Sequence, residues 1–388
     1  MSRPAIITTV HRDVDEFAAD YLRMVPNPPL HESVRWLRYC DRRSRGGMRY
    51  VAARDTGGAL IGLAALRATA DRSGASPNYD VADLVWPWPL EPPVPRNLLY
   101  PQLFGAVSGA RCLLTARDNG VLESIADAAD ALAGDGVLSF AGLADLGLAR
   151  RLAGLLRNSE VGLVGAETVL DVTWTDFDGY LATLGRNART SIRRERRQYL
   201  AGGLRTRVVE GTAALDECTA RLQVQLAAKY RTTASTEAVL ADYADIAATM
   251  ADRMVVFLAE RAGAPVGMCV CLRDNGTLHI RNVAFDYAAT RADFVYFNVM
   301  CYEPLLWGLC NGISRFCFGN GAAEAKRRRG CRLDPLYGVV RWPGSLAAAC
   351  GGSLAHRTRL ARAELGLAEP EAASASASDR ARTPVPAT

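Results

Sequence analysis

Near residue 320 the sequence sets a glycine pair, an acid and a cation within a few positions, Gly319-Asn320-Gly321-Ala-Ala-Glu324-Ala-Lys326. A strand that runs into such a glycine pair brings backbone amides close to a ligand, with a carboxylate and an ammonium just beyond. Lys229 and Lys326 are the two lysines among 46 basic residues, so a lysine here is an exception in an arginine-using chain. Glu324 and Lys326 are therefore the candidate charged groups of a ligand site. Upstream, Asp286 and Tyr287 close a strand on which His279 alternates with Arg281. Asp286, Tyr287 and His279, with Gly319, Asn320 and Gly321, are expected to bind substrate. His11, His31, His279 and His356 are too scattered to suggest a Ser-His-Asp triad. The Gly319-x-Gly321 pair is no dinucleotide fingerprint, since a third spaced glycine and a following apolar helix are missing.

The densest charge lies earlier, in Gly185-Arg-Asn-Ala-Arg-Thr-Ser-Ile-Arg-Arg-Glu-Arg-Arg197, six arginines against the single acid Glu195. On a helix Arg186, Arg189, Arg193 and Arg197 form one basic stripe with Arg194 beside it, while Leu181, Leu184, Ala188, Ile192 and Tyr199 form the buried one. Arginine forks suit phosphate oxygens, whether on coenzyme A, on a tRNA backbone or on a nucleotide-linked precursor. The five arginines are the candidate tRNA or phosphate ligands.

These residues must be held by ordered elements. Met48 to Thr69 reads as a β-hairpin, two apolar runs joined by a Thr-Gly-Gly turn. About two hundred residues on, Met254 to Arg261, a turn at Ala262-Gly263-Ala264 and Pro265 to Arg273 repeat the pattern, with Asn275-Gly276 opening a third strand, Thr277 to Phe285. Gly62 and Gly267 take matching places. The repeat suggests two copies of one mixed α/β domain. Helices are expected at Gly120–Ala133, Gly142–Arg157, Ala213–Tyr230 and Tyr296–Cys310, with strands at Val137–Phe140 and Ser314–Phe318. Trp86 to Pro95, rich in proline, should be a loop. The domains expected are 1–172 and 173–345, followed by 346–388 as a short helix and a disordered Ala/Ser/Pro tail.

The 388 residues are 49% hydrophobic and 22% charged, with a formal charge of +5, the balance of a soluble globular protein and too mild to mark a nucleic-acid binder by itself. No run approaches the roughly 18 apolar residues of a membrane span, and the N-terminus lacks a secretory core, so a cytoplasmic protein is expected. Ten cysteines without a pair of CxxC knuckles imply reduced thiols and no metal.

Three stretches carry a resemblance: Phe177 to Arg197 with Gly203-Leu-Arg-Thr-Arg-Val-Val209, and Phe318-Gly-x-Gly-x-x-Glu-Ala-Lys-x-x-Arg-Gly-Cys-x-Leu-x-Pro-Leu-Tyr337. They resemble the FemAB-type branch of the GCN5-related N-acyltransferases. Trp36-Leu37, the Met48 hairpin and Tyr100-Pro101 with Gly105 and Gly109 extend the likeness over most of residues 30 to 342. The resemblance implies two tandem acyltransferase-fold domains, each a mixed sheet flanked by helices, and transfer of an acyl or aminoacyl group to an amine. Such a transfer needs a free nucleophile, a cation facing the developing oxyanion and fixed geometry, and no covalent intermediate; under it Lys326 is the candidate catalytic cation and Glu324 the candidate holder of the acceptor amine. Its donors are aminoacyl-tRNAs in some members and acyl-coenzyme A in others. Coenzyme A users of this fold carry a glycine-bearing pyrophosphate loop after the central strand, and here Asp286 to Tyr296 has no glycine. An aminoacyl-tRNA donor is therefore favoured, with no cofactor, and acyl-coenzyme A is the alternative co-substrate. The acceptor expected is a small-molecule or peptide amine, in specialised biosynthesis rather than on a cell-wall precursor. A non-catalytic RNA-binding module is the further alternative.

Overall fold

A computed structural model describes residues 5–72, 80–87, 89–105, 111–229, 233–290 and 293–367. Its first half holds β1 (Ile7–His11), α1 (Ala18–Met24), α2 (Val34–Ser44), β2 (Met48–Arg54), β3 (Leu60–Thr69), α3 (Val81–Val85), β4 (Gln102–Gly105), β5 (Leu114–Ala116), α4 (Asn119–Ala133), β6 (Val137–Leu143), α5 (Leu146–Leu155) and β7 (Ser159–Asp171). The second holds α6 (Phe177–Ala182), α7 (Arg186–Ala201), β8 (Leu204–Glu210), α8 (Glu217–Lys229), α9 (Thr236–Met250), β9 (Met254–Arg261), β10 (Ala264–Asp274), β11 (Thr277–Phe285) and α10 (Tyr287–Thr290). A broken helix follows, α11 (Val295–Phe297), a π turn (Asn298–Tyr302) and α12 (Glu303–Cys310), then β12 (Arg315–Cys317), α13 (Ala323–Arg327), β13 (Arg332–Arg341), α14 (Gly344–Cys350) and α15 (Ser353–Leu365). The tail expected from Ala372 lies outside the described residues.

Twelve strands form one continuous sheet in the order β1-β2-β3-β4-β6-β13-β7-β12-β11-β10-β9-β8, with β5 beside β3. Read from either end the order is the same plan: an antiparallel run of four, then one parallel neighbour, β6 on β4 and β12 on β11. The Met48 and Met254 hairpins hold equivalent places in the two halves. The sixth position of each half is filled by the other half's last strand, β13 against β6 and β7 against β12.

The paired glycines explain themselves physically. A Cβ on Gly62 would stand 2.4 Å from Val121 Cγ1 of α4, and one on Gly267 would stand 2.6 Å from Val295 Cγ1 of α11. In both halves the helix after the central strand lies directly on the second strand of the hairpin, and only a residue without a side chain admits it. Ala262-Gly263 and Asn275-Gly276 both take positive φ, the pattern of tight two-residue hairpin turns.

Alternation along the strands feeds two faces. Met254, Val256 and Leu258 of β9 join Met48 and Tyr50 of β2 in one core that α1, α2, α8 and α9 cover together. Val255, Phe257 and Ala259 point the other way, into a core closed by α6, α7 and the broken helix. The N-terminal counterpart of that second core is roofed by α4 and α5. Expected helices shift where caps intervene: β6 runs on to Leu143, and α5 begins only after Asp145 accepts the Gly147 amide. The loop from Trp86 tucks its tryptophan against Trp342, ring centroids 5.7 Å apart.

Candidate active site

The parallel strands β11 and β12 pair over three residues only, Thr277–His279 with Arg315–Cys317. Beyond that point β12 stops while β11 continues, and the strands part. The chain leaves β12 through Phe318 and Gly319, whose φ of +68 needs glycine. The Gly319 carbonyl is fixed by Thr168 of β7, which donates from its amide at 3.1 Å and its hydroxyl at 2.7 Å. Asn320 and Gly321 stand exposed beyond it.

From α13, Lys326 reaches back under this turn. It is 4% exposed, and its Nζ donates to the Phe318 carbonyl at 2.5 Å and toward the Gly319 carbonyl at 3.5 Å. Burial pushes its pKa down to about 8, partly offset by the nearby Cys331 and Cys301. An ammonium has three protons to give, and these two carbonyls take two of them. Glu324 does not join it. Two residues earlier on the same short helix, and so on its other side, its carboxylate faces solvent and pairs with Arg328 at 3.0 Å and Arg327 at 3.6 Å.

The lone acid of the arginine helix has a different task. Glu195 is buried and accepts from Arg329 Nη2 at 2.7 Å and from the Tyr302 hydroxyl. Arg329 Nε donates to that same hydroxyl oxygen at 2.7 Å, and its guanidinium lies 3.2 Å from the Phe297 ring centroid. The π turn places Tyr302 for this contact and buries Asn298 beside it. The network ties α7, which bears the arginines, to α13, which bears Lys326.

With Glu195 turned inward, α7 presents Arg186, Arg193, Arg194 and Arg197 to solvent. Arg194 lies over the Phe294 ring at 5.8 Å, and Arg193 comes only within 3.9 Å of the exposed Asp178. Arg189 is half-buried, its Nη1 donating to the Leu184 carbonyl at 2.9 Å. Four of the five expected phosphate ligands thus share an exposed face, and the fifth closes the helix start.

Asp286 and Tyr287 stand at the far end of β11. The Asp286 Oδ1 accepts the amides of Ala288 and Ala289, both at 2.9 Å, and so caps α10. The Tyr287 ring packs on Phe285 with centroids 4.3 Å apart. His279 is on the opposite sheet face from Lys326. Leu278 enters the core beside Phe316, and His279 turns the other way, to meet His31 with ring centroids 5.3 Å apart. Arg111 pairs there with buried Glu167 at 2.9 Å, and Arg281 donates to Tyr39 while stacking 5.0 Å over Trp36. Sequence reading placed His279 in one cleft with Lys326 because strand alternation across a parted pair was not visible in it. It also passed over His31, Arg111, Glu167 and Arg329. Only Glu195, an acid inside a basic helix, carried a signal in the sequence.

The two halves follow one plan, each with a short parallel pair at its centre and its sixth strand supplied by the other half. Residues 157–344 match the FemAB-like family, described as peptidoglycan biosynthesis/recognition, and the likeness read from the arginine helix and the Gly319 segment falls inside that match. No curated protein sequence matches the chain. Among solved structures, the lysylphosphatidylglycerol synthetase L-PGS from Bacillus licheniformis is similar at 13% identity and TM-score 0.51, over 90% of this chain and 97% of that one. The C-terminal domain of a protein assigned as a lysylphosphatidylglycerol synthetase from Agrobacterium fabrum is similar at 12% identity and TM-score 0.50, over 86% and 95%. A structure of FemX shares 12% identity at TM-score 0.49, over 86% and 96%. Among the described residues no helix is long and apolar enough to cross a membrane.

Proposed function

We propose that the protein is an N-acyltransferase that moves an aminoacyl group from a charged tRNA onto the amine of a small-molecule or peptide acceptor. The observation that carries this reading is the parted pair β11/β12 with a cation at its mouth, Lys326, and an exposed arginine face on the helix coupled to it. A tRNA backbone matches that face. The ester it brings is already activated, so Lys326 need only stabilise the oxyanion that forms on attack.

Acyl-coenzyme A is disfavoured by the cap geometry. In the turn directly after β11 Asp286 already holds the amides of Ala288 and Ala289, and at the start of α4 in the first half Asp118 holds that of Val121 at 3.0 Å. A phosphate there would meet a carboxylate. The test is incubation with total charged tRNA and, separately, acetyl-coenzyme A, with free primary amines or phosphatidylglycerol vesicles as acceptors. Amine-dependent loss of acyl groups from tRNA is expected. Consumption of acetyl-coenzyme A with tRNA untouched would overturn the donor.

A further inference from the structure

We propose that His279, with His31 of the first half behind it, takes the proton of the attacking amine on the sheet face opposite Lys326. The inference rests on the acyl-transfer reading above and adds where the acceptor enters. His279 is the last residue of β11 still paired with β12, so its imidazole flanks the point where the strands part. Its Nδ1 is buried and has no hydrogen-bond partner. A buried polar atom in that condition is uncommon and calls for a ligand or a role.

The surrounding charges are already engaged. Arg111 is held by Glu167, and Arg281 by Tyr39 with Asp242 at 3.8 Å. Glu32 is half-buried, its pKa raised by desolvation against the opposing Arg111, and Cys317 behind the pair is pushed up to about 12 by burial. The two imidazoles are left as the acceptors of this wall. Burial, with Arg111 nearby, holds His279 down to about 4, and burial, then His279, Arg281 and Arg111, hold His31 well below its ordinary range. Both are neutral at physiological pH. A weak base suffices, because the amine nitrogen becomes acidic as it bonds to the carbonyl carbon. The nitrogen–carbon bond forms, the bond from carbon to the ester oxygen breaks, and the nitrogen's proton passes to His279. From there it returns to the leaving ribose oxygen. Donor and acceptor then meet from opposite faces through the parted strands, the donor on the α7 side and the amine on the α2 side.

The test uses the full chain, charged tRNA as donor, and ethanolamine, spermidine and glucosamine as acceptor probes. H279Q should lower turnover on the order of 10², with KM for charged tRNA within about twofold of wild type. H31Q should give a smaller loss of the same kind. Added imidazole should restore H279A, which keeps a space for it, and should not restore K326M. Wild-type turnover in H279Q, or a folded H279A that imidazole leaves inactive, overturns the inference while acyl transfer stands. A wild-type chain that transfers nothing from charged tRNA or acetyl-coenzyme A overturns both.

Discussion

The helix after the central strand is built in two ways in the two halves. In the first, α4 sends Val121, Leu122, Ile125, Ala126 and Ala129 into the core and lies on Gly62, with one ion pair near its end, Asp130 to Arg341 of β13 at 2.5 Å. In the second, α11 lies on Gly267 in the same manner, but a π turn interrupts the helix and buries Asn298 and Tyr302 against Glu195 and Arg329. A buried ion pair adds little net stability over apolar packing, because desolvation offsets the attraction. A fully buried pair under the broken helix, where α4 has only the half-exposed Asp130 against Arg341, marks where the second half holds groups in place and not merely together.

The contrast is broken most sharply through Glu195. Glu195→Ala strands Arg329 in the core and should cost about 3–5 kcal/mol, against about 0.5–1.5 kcal/mol for Ile125→Val in α4. Urea denaturation of both variants checks this, and equal losses would erase the distinction between the halves. Next comes Lys326→Met, which should reduce turnover by on the order of 10² to 10³ with donor affinity little changed. The pH dependence has a definite sign. Because burial lowers the Lys326 pKa to about 8, the ammonium is lost as pH rises through that value, and wild-type turnover should fall there. A profile flat from pH 7 to about 9 would remove the ammonium from the mechanism.

A smaller effect is expected at the surface. Changing Arg186, Arg193 and Arg197 together to Gln should flatten the salt dependence of tRNA binding, each lost contact removing roughly 0.7 to 0.9 from the log-log slope. Arg150 and Arg151, two exposed arginines on α5 of the first half, should leave that slope unchanged when replaced in the same way. Equal effects at both helices would mean that charge alone, not the half that bears it, binds the polyanion. Least of all, Glu324→Gln should keep turnover within about twofold and shift stability by less than about 1 kcal/mol, as for an exposed pair.

Much of the frame was legible because local patterns dictate it. The hairpins at Met48 and Met254, the strand Thr277–Phe285 and the amphipathic α7 follow from turn residues and period alone. The middle of the sheet was not. β7 is covered on both faces, so Val164 to Leu170 shows no simple alternation, and β13 contains Pro335, which argues against a strand. Pro335 is admitted because β13 meets β6 only from Tyr337 onward and pairs with β7 alone at the proline. The site was half legible for the same reason. Lys326 stands out by residue type, while His31 and His279 meet only through the fold.

The exchange of β7 and β13 has a consequence for how the molecule is made. Because β13 lies between β6 and β7, the sheet of the first half stays open until the segment Arg332–Arg341, the last strand among the described residues, has been synthesised. Pairing at so long a sequence separation is entropically slow and late in folding. A nascent or truncated chain stopping near residue 172 would expose a bare strand on each side of the missing β13 and could form no port between β11 and β12. The two halves must mature together, because neither sheet closes without a strand from the other.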